Sequence, residues 1–296
     1  MSTDTVLREL LVRQLDHWLP GALHRSRWAT LALAFPDPGA AEAVLRVVAE
    51  FADRLRGRRL TVLVLGGGPD LPARLGPVEA TLPTDVAVHV VPGDASRLPV
   101  VLKAAGAAGA PLLTLADATA DPALLAAAAT GRPAELLLAA PAPAPLRPAL
   151  TGAGFPLVTE VELVPADGSP ARRVAFGTRL DKSLEAFKDA LWEVDEFAGV
   201  RYRDPEDPAG GLLDIALHPE PGPLRRELLA ELARSGPRTV TELRRHTLTA
   251  TVYRAADTVP ALTTLLHSGA VTRDPGHGRL GGAVLISVSD GDRSTA

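Results

Sequence analysis

The sequence predicts an α/β protein with a largely parallel seven-stranded sheet, followed by a smaller second domain. Three observations carry that expectation. Short apolar runs recur at 31–35 (LALAF), 60–65 (LTVLVL), 86–91 (VAVHVV), 111–116 (PLLTLA) and 135–140 (ELLLAA). Helix-favouring stretches lie between most of them, clearest at 40–55 and 96–108, and continuous apolar strands separated by helices suit a parallel sheet covered on both faces. Two further strands, 157–164 and 172–178, flank the turn PADGSP, where Asp-Gly predicts an antiparallel hairpin.

Composition sets the limits of function. A chain of 296 residues suggests two domains, or one large and one small. Hydrophobic residues are 46% and aromatics only 4%, so the core is built from Ala, Leu and Val. A net charge of −4 gives no overall attraction to nucleic acid or membrane. The chain has no cysteine, which excludes disulfides, thiolate metal sites and cysteine nucleophiles within it and fits a reducing compartment. The start, MSTDTVLREL, does not read as a signal peptide. No uncharged apolar run approaches the ~20 residues that span a bilayer, and a cytoplasmic location is expected.

In chain order, 6–19 is an amphipathic helix with Leu7, Leu11, Leu15 and Trp18 on one side, ended by Pro20-Gly21. The strand units complete a first domain over 1–204. Residues 205–222, rich in Pro, Gly and acids, read as a linker. A second domain spans 223–289. In it a helix at 224–234 is followed by a short helix capped by Thr239 and Glu242, the two ends of a capping box. A third helical region stops at Gly269, with Pro260 requiring that it start near Thr258 or kink. A strand–turn–strand closes the domain, and three helices with a hairpin make a winged-helix arrangement. The polar tail, 290–296, is expected to be disordered.

The segment 177–204 stands out from the composition. Of three lysines, against 28 arginines, two fall there, with Trp192 and Tyr202. Asp181 is the expected N-cap of a helix whose Leu184, Phe187, Leu191 and Val194 form the buried stripe. Lys188 and Trp192 are one turn apart, so the ammonium can lie on the indole. That side is expected to dock another domain or a partner, the alternative being an ordinary packed helix.

Five alternating units closed by a hairpin resemble the class I methyltransferase fold. That resemblance implies S-adenosylmethionine at the carboxyl ends of the first strands. Four positions bear on it. Gly39 is the one glycine of the turn after the first strand, PDPG; Gly66 stands where an acid would hold the ribose; Asp94 fits the third contact; Asp117, at the end of the fourth strand, is the candidate catalytic or substrate residue. The alternative for Asp94 and Asp117 is that both cap the helices that follow. No metal site is expected, since the seven His have no ligand spacing, and no Ser sits in a GxSxG elbow. In the second domain Arg244, Arg245, Arg254 and Arg273 are the candidates for phosphate contacts on DNA, with a protein-docking or dimerisation role as the alternative.

The chain also resembles the three-Cys-motif partner protein family over nearly its full length. The similarity lies in LRELLVRQLDHWLPGAL, in FPDPG at 35–39, in KDALWEVD at 188–195 and in TVYRAADTVPALTTLLHSGAV near the end. It implies a methyltransferase-like domain paired with a radical S-adenosylmethionine-type protein. Asp37 replaces a glycine of that family's pattern, Leu33 and Ala34 stand before Phe35 where it has an acid, and Gly66 replaces the acid after strand two. These departures favour no cofactor over S-adenosylmethionine. The expected function is therefore a partner or adaptor protein acting with a protein partner, with a homodimer also open. An active S-adenosylmethionine-dependent methyltransferase and a DNA-binding regulator are the alternatives.

Overall fold

A computed structural model describes residues 3–143, 145–195, 199–207 and 209–289; the tail expected at 290–296 lies outside them. The chain divides into two compact units, residues 1–217 and 218–296.

The first unit opens with α1 (Thr3–Arg25), which continues through Pro20 instead of ending there. A proline inside a helix costs ~3 kcal/mol. Complete burial of Leu19 and near-complete burial of Leu23 on the following turn offsets this, at about 1.5–3 kcal/mol per side chain. Five strands then alternate with helices. β1 (Trp28–Ala34) leads to α2 (Pro38–Glu50) and α3 (Ala52–Leu55), and β2 (Arg59–Gly66) leads to α4 (Leu71–Glu79). β3 (Val86–Pro92) leads through a 3-10 turn at Ala95–Arg97 to α5 (Leu98–Ala104). β4 (Leu112–Asp117) is followed by α6 (Pro122–Ala128), and β5 (Ala134–Pro141) by α7 (Arg147–Gly152). The expected hairpin is β6 (Leu157–Pro165) with β7 (Arg172–Thr178), and α8 (Asp181–Trp192) follows it.

Among the described residues the sheet has nine strands where seven were expected, in the order β3-β2-β1-β4-β5-β7-β6-β8-β9. The two additions are β8 (Val200–Arg203) and β9 (Leu212–Leu213), both antiparallel and both at the β6 edge. β9 lies inside the stretch read as a linker. A two-residue strand has no alternation to read, and backbone pairing alone can add it to a sheet edge. β1 to β5 are mutually parallel, and β7 inserts antiparallel between β5 and β6. This is a Rossmann-like, class I methyltransferase-like sheet. Helices α5, α6 and α7 cover one face through Leu98, Leu102, Leu124, Leu125 and Leu150, and α4, α2, α1 and α8 form the other layer.

The second unit contains α9 (Gly222–Ser235), β10 (Arg238–Thr239), α10 (Val240–Ala250), α11 (Thr258–His267), β11 (Val271–Asp274) and β12 (Leu285–Val288). Its three strands are ordered β10-β12-β11, all antiparallel. The expected capping box is present: Thr239 Oγ1 accepts from the Glu242 N–H at 3.2 Å, and the Glu242 carboxylate accepts from the Thr239 N–H at 2.8 Å. α11 starts at Thr258, which puts Pro260 in the first turn, where its missing N–H has no intrahelical partner to lose.

Candidate functional site

In a doubly wound sheet the ligand crevice opens at the carboxyl ends of the strands where the order reverses, here between β1 and β4. A cavity of about 420 Å³ lies there, lined by Ala34, Phe35, Pro36, Leu65, Gly66, Gly67, Gly93, Asp94, Ala95 and Asp117. Three of the four residues singled out from the sequence, Gly66, Asp94 and Asp117, are brought together in its wall. The fourth, Gly39, is not. A second cavity of about 370 Å³ shares Phe35, Pro36 and Asp117 and is bounded by Asp4, Arg8, Asp37 and Arg172.

The charged groups around both cavities are engaged by the protein itself. Asp37, in extended conformation, is the N-cap of α2 and accepts from the Gly39 N–H at 2.9 Å. Arg8 of α1 donates to its other oxygen at 2.6 Å. Partial burial pushes the Asp37 carboxyl upward, but the Arg8 and Gly39 hydrogen bonds outweigh it and hold the group below the usual carboxylate range. Asp117 does not cap a helix. It is ion-paired with Arg172 of β7, which also has Asp4 at 3.7 Å, and Asp121 caps α6 instead. Asp94 does cap: its carboxylate accepts from the Ser96 N–H and hydroxyl at 2.9 and 2.5 Å, and these bonds lower its proton affinity. Arg8 and Arg172 had no signal in the sequence, because each meets its acid only through packing of distant segments.

Two of the candidate glycines, Gly66 and Gly39, are accounted for by protein neighbours. A Cβ on Gly66 would come within 2.6 Å of Leu71 Cδ2, and one on Gly39 within 3.1 Å of Arg8 Nη2. Gly67 alone in the cavity wall faces open space. For S-adenosylmethionine these residues are a poor fit. Gly66 brings no carboxylate to the ribose, and Asp70 is absent from the wall of the 420 Å³ cavity and lines a smaller adjoining one of about 190 Å³. The first N–H groups of α2, a natural site for an anionic group, are met by Asp37. Among the described residues no group of acids and histidines could hold a metal ion, and no helix is long and apolar enough to cross a membrane.

Lys188 and Trp192 are not a docking surface. Lys188 is 0% exposed and Trp192 1%. The Trp192 ring meets Tyr202 of β8 edge-on at 5.7 Å, and the Tyr202 hydroxyl donates to the Leu191 carbonyl at 2.7 Å. The helix packs on the sheet through the expected stripe, with Phe187 stacked on Phe176 at 4.6 Å. Asp181 is its first residue and not its cap, which is Leu180.

In the second unit, Arg254 is held by Asp257 through its Nε and Nη2, at 3.1 and 2.9 Å. Arg273 turns back onto the carbonyls of Pro275 and His277. Arg244 and Arg245 are exposed on α10. Helix α11 contains neither lysine nor arginine.

No protein-family model matches this chain, and no curated protein does. Among solved structures it is similar to an O-methyltransferase from Bacillus cereus in complex with SAH. Identity is 14%, coverage 60% of this chain and 82% of that one, and the TM-score 0.36. It is also similar to a protein described as a predicted O-methyltransferase from Agrobacterium tumefaciens, at 12% identity, 56% and 79% coverage and a TM-score of 0.33. Likeness this distant carries no weight for activity, and the strand order of the chain itself establishes the fold.

Proposed function

We propose that this chain is a partner-type protein, a methyltransferase-like unit with a degenerate cofactor crevice joined to a winged helix, and that it acts with another protein. The observation that carries this reading is that charged groups at and beside the crevice are occupied from within: Asp117, in its wall, by Arg172, and Asp37, at the adjoining cavity, by Arg8 and the α2 N-terminus. Asp117, the candidate catalytic residue, is already engaged by Arg172 of β7. The similarity of KDALWEVD to the three-Cys-motif partner proteins supports a radical S-adenosylmethionine-type partner. With Lys188 and Trp192 buried, the docking surface must lie elsewhere. The order helix, strand, helix, helix, strand, strand supports reading 218–289 as a winged helix. Its α11 lacks the cations that neutralise phosphates, which favours protein docking over DNA.

A second reading, an active methyltransferase, is favoured by one observation: Asp94 and the open backbone at Gly67 share the 420 Å³ cavity. Calorimetric titration of the full chain with S-adenosylmethionine separates the two. The degenerate reading expects no binding heat. Micromolar binding that disappears in Asp94→Ala would overturn the degenerate reading.

A further inference from the structure

Among the described residues β3 is the outermost strand at its end of the sheet, and its seven residues, VAVHVVP, include no acid, lysine or arginine. Edge strands of soluble proteins are usually blunted by such charges. The backbone bonding shows which groups are left over. Leu60 N–H donates to the Asp85 carbonyl at 3.0 Å and Gly93 N–H to the Gly66 carbonyl at 3.3 Å. With the parallel register of β2 and β3, alternation turns the odd-numbered residues toward β2 and Val86, Val88, Val90 and Pro92 outward.

Both ends of that outward row are closed. The Val86 N–H donates to the Pro83 carbonyl at 2.9 Å. Pro92 has no N–H, and its carbonyl accepts from Arg97 Nη1 at 2.5 Å. Between them stand the N–H and C=O groups of Val88 and Val90. We propose that a second copy of this chain pairs with β3, antiparallel, about a two-fold axis at His89, with Val88 of each copy opposite Val90 of the other. In this register the two copies exchange four backbone hydrogen bonds and use no group already bonded. Registers centred on Val88 or Val90 run into the Val86 N–H or Pro92. Identical patches meeting about a two-fold axis form the commonest kind of oligomer contact.

Charge and apolar surface agree with that mate. In the same register Asp85 of one copy lies opposite Gly93 of the other. The Arg97 side chain covers Gly93, a Cβ there coming within 2.4 Å of Arg97 Cδ, so an Asp–Arg pair forms at each end. Beside the edge, on the α5 face, lies an apolar trough of about 540 Å³ lined by Leu63, Val91, Val100 and Val101. Val100 is 71% exposed, and the mate's α5 approaches it on the same face.

Sedimentation equilibrium of the full chain tests this. A monomer–dimer equilibrium is expected in the micromolar range. Val90→Pro should weaken the dimer at least tenfold without disturbing the fold, since the Val90 N–H does not serve β2 and proline is tolerated at an outward edge position. Arg97→Asp should weaken it as well, and the double variant Asp85→Arg/Arg97→Asp should restore it. A native chain that stays monomeric, as it would if a heterologous peptide were the edge's partner, overturns the proposal. So does a dimer indifferent to both single substitutions. Should Val90→Pro lose its cooperative melt, the charge exchange decides alone.

Discussion

Glu135 lies at the start of β5, fully buried, where Ser183 Oγ donates to it at 2.7 Å and Gln14 Nε2 at 3.0 Å. Burial raises its proton affinity above that of an ordinary glutamate, and the bonds from Ser183 and Gln14 and the charge of Arg25 only partly oppose the rise. Between the ordinary value and the raised one, the folded chain therefore binds more protons than the unfolded chain. This contribution to stability is fully present at low pH, declines as pH rises through that interval and is flat above it. Glu135→Gln should keep the fold and remove this decline, because an amide can accept from Ser183 and donate to the buried Gln14 Oε1, which has no partner. Urea unfolding across a pH series checks it; an unchanged slope would show that Glu135 does not titrate with folding. In the sequence this residue looks like the polar boundary of an apolar run. Burial against α1 and α8 is a property of packing, and no local pattern reports it.

At the scale of elements, α8 corrects the reading of its own sequence. The unusual composition of 177–204 marks a dense piece of core, where helix, β8 and the sheet bring together Phe176, Phe187, Trp192 and Tyr202, four of the chain's eleven aromatics. Trp192→Ala should cost about 3–5 kcal/mol, as expected for deleting a large buried side chain. Lys188→Ala should also destabilise, since Asp204, itself buried and shifted upward by that burial, has Lys188 among the charges that favour its ionised form. Denaturant midpoints test both, and wild-type midpoints would return the pair to a surface role. The apolar stripe of α8 was legible because a 3.6-residue period shows which residues face the sheet. The burial of its other side was not, because it depends on α1 and β8 arriving from elsewhere in the chain.

At the scale of the molecule, the second unit has a core of its own in Leu224, Leu228, Leu232, Leu243, Leu262, Leu265 and Ile286, all buried. Residues 218–296 expressed alone should melt cooperatively, with modest stability as befits so small a domain; a featureless thermal scan by circular dichroism would count against an independent unit. The sequence by itself determined the strand and helix alternation, the antiparallel hairpin at Asp167-Gly168 and the capping box at Thr239, and it narrowed α11 to a start near Thr258 or a kink at Pro260. All of these follow from side-chain periodicity or from turn and cap chemistry within a few residues. Only the tertiary structure decided the strand order, the added strands β8 and β9, and the state of the crevice. The acids at and beside that crevice meet their arginines across 29 residues, for Arg8 with Asp37, and 55 residues, for Asp117 with Arg172. Whether a carboxylate at a strand end is free for chemistry or already paired depends on which distant segment folds onto it, and that is settled by packing.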